Sequence, residues 1–238
     1  MRCLNCSSIF NSKREDALYC SDRCRVAYHR KIRNKTVTDN SGKNIPNHMK
    51  TILSLCDYSG SWSKPYKEQG YNVVRIDLKR GQDVRLLEFP GEVYGVLAAP
   101  PCDHFASAGA RWWKDKGNSA LLEGLSVFDA CARIVLFTNP KFWVFENPVG
   151  RLKDYIGQPQ WIFDPCDYGD PYTKKTCLWG NFNSPPPREK VGPIRAPSGH
   201  HSMDQWLRNQ GFSLGKSRAA LRSVTPEGFS RAFFNANR

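Results

Sequence analysis

From Thr51 onward the apolar positions fall into short runs, separated by polar turns that carry glycine and proline. "TILSLC" is a strand-like run ending in the turn-like "DYSGSWS", "PYKEQG" has the character of a short helix closed by Gly70, and "YNVVRID" predicts a second strand. "YGVLAA" predicts a third strand, and "SALLEGLSVFDACARIVLFT" carries helical periodicity. "KFWVFEN" predicts a fourth strand and "TKKTCLWGNF" a fifth. After the proline-rich "NSPPPREKVGPIRAPSG", the stretch "TPEGFSRAFFNAN" predicts a last helix, with Thr225 as its cap and Pro226 in its first turn. Strands alternating with helices predict an α/β fold, a mostly parallel sheet with helices on both faces.

The first fifty residues follow no such rhythm. Residues 3–24 spell C-x2-C, thirteen residues, then C-x3-C, so Cys3, Cys6, Cys20 and Cys24 form two pairs, each able to bite one ion. That spacing predicts a small ribbon around tetrahedral zinc with four thiolates, with His29 as a substitute ligand. So short a segment cannot build a core, and a metal would supply its folding free energy. A redox-sensitive cluster without metal is the alternative. Residues 31–50 are polar, basic and rich in Asn, and read as a linker. The expected organisation is a zinc ribbon over 1–30, a basic linker over 31–50, a catalytic domain over 51–182, a small basic recognition region over 183–222 and a returning helix over 223–238.

Charge sharpens this division. The net charge of +13 resolves into +7 on residues 1–50, zero on 51–182 and +6 on 183–238. Two basic ends around a neutral centre fit a nucleic-acid partner, because phosphate contacts supply most non-specific affinity. The other five of the nine cysteines are scattered singly, as buried thiols in a reducing compartment are. No apolar run approaches a membrane span, and the N-terminus shows cysteines and charges where a signal segment would be apolar. A cytoplasmic monomer with no membrane partner is expected.

In open α/β sheets ligands sit outside the carboxyl ends of the strands. The positions following the predicted strands are Asp57 with Ser59-Gly60-Ser61, then Asp77 with Asp83 in the next turn, then Pro100-Pro101-Cys102, then Glu146-Asn147-Pro148. The first loop is too poor in glycine to cradle phosphates. Asp77 after the second strand suits ribose hydroxyls, or else caps a helix. A cysteine after two prolines has an aimed thiol, and a neighbouring carboxyl makes the pair suited to attack on an electron-poor ring.

In order, "LCDYSGSWS", "VVRIDLK", "DVR", "AAPPCDHFASAG" and "VFENPVG" resemble the DNA cytosine-5 methyltransferases, and most of all their compact bacteriophage members, over roughly residues 51–182. That resemblance implies a Rossmann-like S-adenosylmethionine-dependent methyltransferase fold. It places the cofactor along Asp57, Tyr58, Ser59, Gly60, Ser61 and Trp62, with Asp77 and Leu78 at the ribose, Asp83 and Val84 at the adenine, and Pro100 nearby. It implies that Cys102 attacks C6 of a cytosine flipped from the duplex while Glu146 holds N3 and the exocyclic amine. The segment "DHFASAGARWWKDKG" would close over DNA through Arg111, Trp112, Trp113, Lys114 and Lys116. Core packing is the alternative for the two tryptophans. Where that family carries arginine near the base, this chain has Lys174, Lys175 and Thr176, so Lys174 or Lys175 would provide the charge without the bidentate fork. Only about forty residues separate this segment from the last helix, too few to read a long site. An enzyme acting on a free cytosine nucleotide, or placing another one-carbon group, is a competing reading. A DNA-binding module on an inactive scaffold is another.

Overall fold

Strand β1 (Thr51–Leu55) leads through helix α1 (Lys64–Glu68) into β2 (Asn72–Ile76), and β3 (Gly95–Ala98) into helix α2 (Trp113–Thr138). Then come β4 (Phe142–Pro148), the single turn α3 (Lys153–Ile156), β5 (Trp161–Phe163), β6 (Thr176–Asn181) and helix α4 (Glu227–Ala236). The structure is a computed structural model of the 238-residue chain. It describes residues 45–187, 190–195 and 223–238 throughout, with 203, 206 and 209 between them and 3, 6, 8–10, 20, 21, 23 and 24 near the N-terminus. The chain divides into two units, Met1–Ile45 and Pro46–Arg238. His29, most of the predicted linker and most of the 183–222 region lie outside the described residues.

The sheet runs in the order β2-β1-β3-β4-β6-β5. Its first four strands are parallel, whereas β6 is antiparallel to both β4 and β5. The expected mostly parallel sheet of five strands is therefore corrected to a mixed sheet of six. The three-residue β5 has no periodicity to betray it, and the predicted fifth strand is the sixth, lying antiparallel between β4 and β5.

Alternation within the strands builds two cores. Leu53, Leu55, Val96, Ala98 and Phe145 face α2, where they meet Phe128, Cys131, Ile134 and Val135. Ile52, Leu97, Phe142, Val144 and Leu178 face the other way, onto Trp62, Tyr66 and the helix residues Phe229 and Phe233. Phe229 stacks on Phe163 of β5 with ring centroids 4.0 Å apart. Each such buried ring contributes about 1.5–3 kcal/mol of hydrophobic stabilisation, so α4 is part of the core although it is last in sequence. Its cap is Pro226, with no side-chain cap bond, and Thr225 is buried beside it, which corrects the expected Thr225 cap. The end of α4 is tied by Asn237, whose Oδ1 accepts from Asn183 N at 2.7 Å and whose Nδ2 donates to Asn183 O at 2.9 Å.

Helix α2 starts earlier than its periodicity predicts. Its first turn is set off by Gly117, whose φ of 67° no other residue adopts at so little cost. Among the described residues no helix is long and apolar enough to cross a membrane.

Candidate active site

Parallel neighbours β3 and β4 end at the same edge of the sheet, in register through Ala98 and Phe145. Pro100-Pro101-Cys102 follow β3, and Glu146-Asn147 lie in β4 just past its register with β3, where they pair with Leu178 and Cys177 of β6. The fully buried Asn147 donates through Nδ2 to the Pro100 carbonyl at 2.9 Å, a bond the prolines cannot return because they lack N–H. The Cys102 carbonyl then accepts from Phe105 N and Ala106 N, both at 2.9 Å, so the thiol stands at the head of a closed turn. That turn is fastened to the segment after β4. Ser107 N donates to Val149 O and Arg151 N to Phe105 O, each at 2.9 Å, and Ala106 pairs with Gly150. A Cβ on Gly150 would run into the Phe105 carbonyl, so this approach requires glycine.

Two of the charges near Cys102, Glu146 and Lys174, are half-buried and paired. Lys174 Nζ stands 3.8 Å from Glu146 Oε1, each side chain being 13% exposed. Burial pushes the Cys102 thiol up to about 11, the Glu146 and Asp103 carboxylates add to that, and Lys174 opposes it. Lys175 is exposed and holds no such pair among the described residues, so of the two lysines left open by the sequence it is Lys174 that faces the carboxylate. Thr176 donates to the Lys174 carbonyl at 2.6 Å and fixes that corner. Tyr172 is buried close by; burial, then Asp170 and Glu146, push its hydroxyl up strongly, and its ring lies 5.4 Å from that of Trp206. Tyr172 escapes sequence reasoning, because a tyrosine signals no role without its neighbours, whereas Asn147 is legible as a strand-end residue but its bond to Pro100 is not.

The positions expected to line a cofactor divide by what their side chains do. Asp57 is buried, with Oδ2 accepting from Ser54 Oγ at 2.9 Å and Ser63 Oγ at 2.8 Å, and Oδ1 from Gly60 N at 2.8 Å and Ser59 Oγ at 3.3 Å. Four donors use up a carboxylate, so the Asp57 side chain organises the loop along which the cofactor is expected to lie. Trp62 is 1% exposed and packs against Phe229 and Phe233. Val84 is buried in the core that α2 covers. Gly60 has a φ of 74°, and Arg75 fills the space beside it, while Ser61 is half-buried.

Other members of the set stay open to solvent. Tyr58 and Leu78 are exposed apolar side chains at the ends of β1 and β2. Asp77 does cap the short turn 78–80, accepting from Lys79 N at 2.8 Å through Oδ1, which leaves Oδ2 for a ligand. Asp83 takes a bidentate grip from Arg85, with Nη2 at 2.7 Å, and this holds its carboxyl below the usual range.

Of the segment expected to close over DNA, Arg111, Trp112, Lys114 and Lys116 are exposed. Arg111 lies 4.9 Å over the Trp112 ring, and Lys116 donates to the Asp103 carbonyl at 2.8 Å. Trp113 is half-buried beneath the Arg151 guanidinium, 4.5 Å from its ring centre, so packing accounts for one tryptophan and not the other.

In the N-terminal unit the Sγ atoms of Cys3, Cys6, Cys20 and Cys24 all lie within 4.8 Å of one another, and none is in a disulfide. The Cys6–Cys20 and Cys20–Cys24 separations are 3.7 and 3.4 Å. A tetrahedral zinc with Zn–S bonds of about 2.3 Å sets its sulfurs about 3.8 Å apart, so the donor set fits that ion. Hydrogen bonds among the neighbouring thiols, Cys24 first, push the Cys20 thiol up, a direction that a bound cation would reverse.

No protein-family model matches the chain. The chain is similar to the Type II methyltransferase M.DdeI of Desulfomicrobium norvegicum, 27% identical over 179 residues, covering 57% of this chain and 41% of that protein. It thus spans about two-fifths of the length of that curated relative. Among solved structures, a DNA modification methyltransferase encoded within an E. coli prophage aligns with a TM-score of 0.45 and 14% identity, over 61% of this chain and 53% of its own. The DhpI–SAM–HEP complex aligns with a TM-score of 0.25 and 13% identity, over 80% of this chain and 81% of its own. Neither structural likeness is close enough to bear on chemistry. By sequence, the chain is homologous to a type II methyltransferase.

Proposed function

We propose that the protein is an S-adenosylmethionine-dependent DNA methyltransferase that acts on C5 of cytosine. One observation carries this reading: the Cys102 thiol and the Glu146 carboxylate converge at the ends of adjacent parallel strands, with Lys174 3.8 Å from the carboxylate. A protein that only bound DNA would have no use for that pair.

The high thiol pKa orders the steps. At neutral pH Cys102 keeps its proton until a base is in place, and Glu146 is the nearby acceptor. As sulfur bonds to C6, the thiol proton passes through Glu146 to N3, and the C5–C6 electron pair shifts into the ring and makes C5 nucleophilic. Lys174 steadies the Glu146 charge while the proton is in transit. S-adenosylmethionine, when bound, supplies the electrophilic methyl group that C5 takes. The C5 proton then leaves to water, the C5–C6 double bond is restored as the S–C6 electron pair returns to sulfur, and the N3 proton goes back through Glu146 to the thiolate.

The donor set at the carboxyl ends of β1 and β2 fits such a cofactor. Asp77 keeps an oxygen for a ribose diol, and exposed Tyr58 and Leu78 present apolar surface for a purine ring. Around a DNA substrate, the +7 and +6 ends would hold phosphates and the exposed Arg111–Trp112 stack would approach a groove. Cys3, Cys6, Cys20 and Cys24 would hold a structural zinc.

The test is nucleoside mass spectrometry on DNA from a bacterium lacking its own cytosine-5 methylase, expressing the protein or its Cys102→Ala variant. 5-Methyldeoxycytidine with the intact protein alone is expected. Its appearance with both would overturn the nucleophile. Its absence from both, with activity on free dCMP instead, would overturn the DNA substrate.

A further inference from the structure

Arg151 is a half-buried cation that no carboxylate neutralises among the described residues. Its Nε donates to the His104 carbonyl at 2.8 Å, and its guanidinium lies 4.5 Å over the Trp113 ring. Its Nη2 is buried without an acceptor, and so are the Trp113 indole nitrogen and His104 Nδ1, on the two residues it touches. Buried donors in folded proteins are nearly always paired, and each one left unmade costs about 1–3 kcal/mol. One such nitrogen on a guanidinium without a carboxylate among the described residues, and two more on the residues it touches, describe a site suited to an anion. Two other arginines of this unit are paired with carboxylates, Arg85 with Asp83 and Glu123 and Arg231 with Glu227 and Glu68, and the half-buried Arg133 has its guanidinium on the Arg85 and Leu87 carbonyls.

We propose that Arg151, Trp113 and His104 form a receptor for one phosphodiester group on the strand that carries the target base, an inference that rests on the nucleic-acid substrate proposed above. The guanidinium fork suits phosphate oxygens, and the indole and imidazole nitrogens add neutral donors to them. A long polyanion is favoured over a small anion because exposed Arg111, Lys114 and Lys116 extend the positive surface along the same segment.

Position gives the receptor its use. Arg151 bonds the turn that Cys102 heads twice, through its own N to Phe105 O and through Nε to His104 O. A phosphate held there is fixed relative to the thiol, so it sets the register of the strand while contacts to the base edges read the sequence. Gly150, where a side chain would strike the Phe105 carbonyl, keeps that spacing short.

The experiment follows duplex oligonucleotide binding to the full chain by fluorescence anisotropy across a range of salt. Arg151→Gln is expected to flatten the slope of log K against log salt by about 0.9, the loss of one phosphate contact. Arg151→Lys should bind more weakly than wild type yet keep the slope, since charge survives and the fork does not. A merely structural Arg151 would lower the thermal midpoint of both variants and leave both slopes at the wild-type value, which overturns the receptor while the methyltransferase reading stands. A flattened slope in Arg151→Gln with no 5-methyldeoxycytidine in host DNA would uphold the receptor and sink the methyltransferase reading. Absence of duplex binding by the wild-type chain overturns both.

Discussion

Asn147 and Pro100 are joined by a 2.9 Å hydrogen bond from the Asn147 amide to the Pro100 carbonyl, across the gap between the ends of β4 and β3. It is the strut that holds the thiol-bearing turn against the strand that carries Glu146. Asn147 is fully buried, so removing its amide leaves the Pro100 carbonyl without a partner and away from water. Asn147→Ala is expected to cost about 1–3 kcal/mol in urea unfolding. It should also slow methyl transfer far more than it weakens S-adenosylmethionine binding, because the turn loses its position and the cofactor face at β1 and β2 does not. Equal losses in the two would mean that Asn147 supports the fold alone.

Cys102 offers a chemical readout that needs no substrate. With its thiol near 11, alkylation by iodoacetamide should accelerate about tenfold per pH unit between 7 and 10 as the thiolate fraction grows. Glu146 raises this thiol and Lys174 lowers it. Glu146→Gln should therefore speed alkylation of Cys102 at pH 8 while abolishing methyl transfer, and Lys174→Ala should slow it. Mass spectrometry of the Cys102 peptide separates this thiol from the other eight. A rate flat in pH would mean that Cys102 is already ionised.

Asp170 predicts how stability depends on pH. Burial pushes its carboxyl up to about 6, against the hydrogen bond it accepts at 2.9 Å from Gly228 N at the start of α4. Because the folded value lies above the unfolded one near 3.8, the folded state binds the proton more tightly. The contribution of this group therefore weakens as pH rises through roughly 4 to 6 and levels off above that. Replacement by Asn, which can still accept from Gly228 N, should remove that part of the decline in thermal midpoint. A decline identical in wild type and Asp170→Asn would reject the assignment.

The four-cysteine cluster predicts that purified protein carries about one zinc per chain. Stripping it with a strong chelator should abolish the fold of the N-terminal unit, whose folding free energy the metal supplies. Residues 46–238, with two cores of their own, should keep their thermal transition. Limited proteolysis before and after chelation would read the two units apart, and a metal-free protein with an intact N-terminal unit would contradict the zinc.

Periodicity was enough to locate β1 to β4, most of α2 and the closing helix, because each buries a continuous apolar face whose spacing records its geometry. It missed β5, where three residues are too few to show a period, and it missed the reversal of β6, because strand direction depends on the connection and leaves no mark in the strand's own residues. The site shows the same division. Asp57 and Asp77 look alike as acidic residues after strands, yet Asp57 is spent on Ser54, Ser59, Gly60 and Ser63 while Asp77 keeps an oxygen open.

The sequence by itself determined which chemistry the chain carries: a thiol behind two prolines, a carboxylate at a later strand end, four clustered cysteines and two basic ends. Only the tertiary structure decided how those groups meet. It set Lys174 against Glu146, buried Trp62 in the core, and placed Arg151 above Trp113 with no carboxylate partner among the described residues. Residue identity fixes what a side chain can donate, accept or carry as charge. Whether that capacity is used up within the protein or left for a ligand depends on neighbours brought from distant parts of the chain.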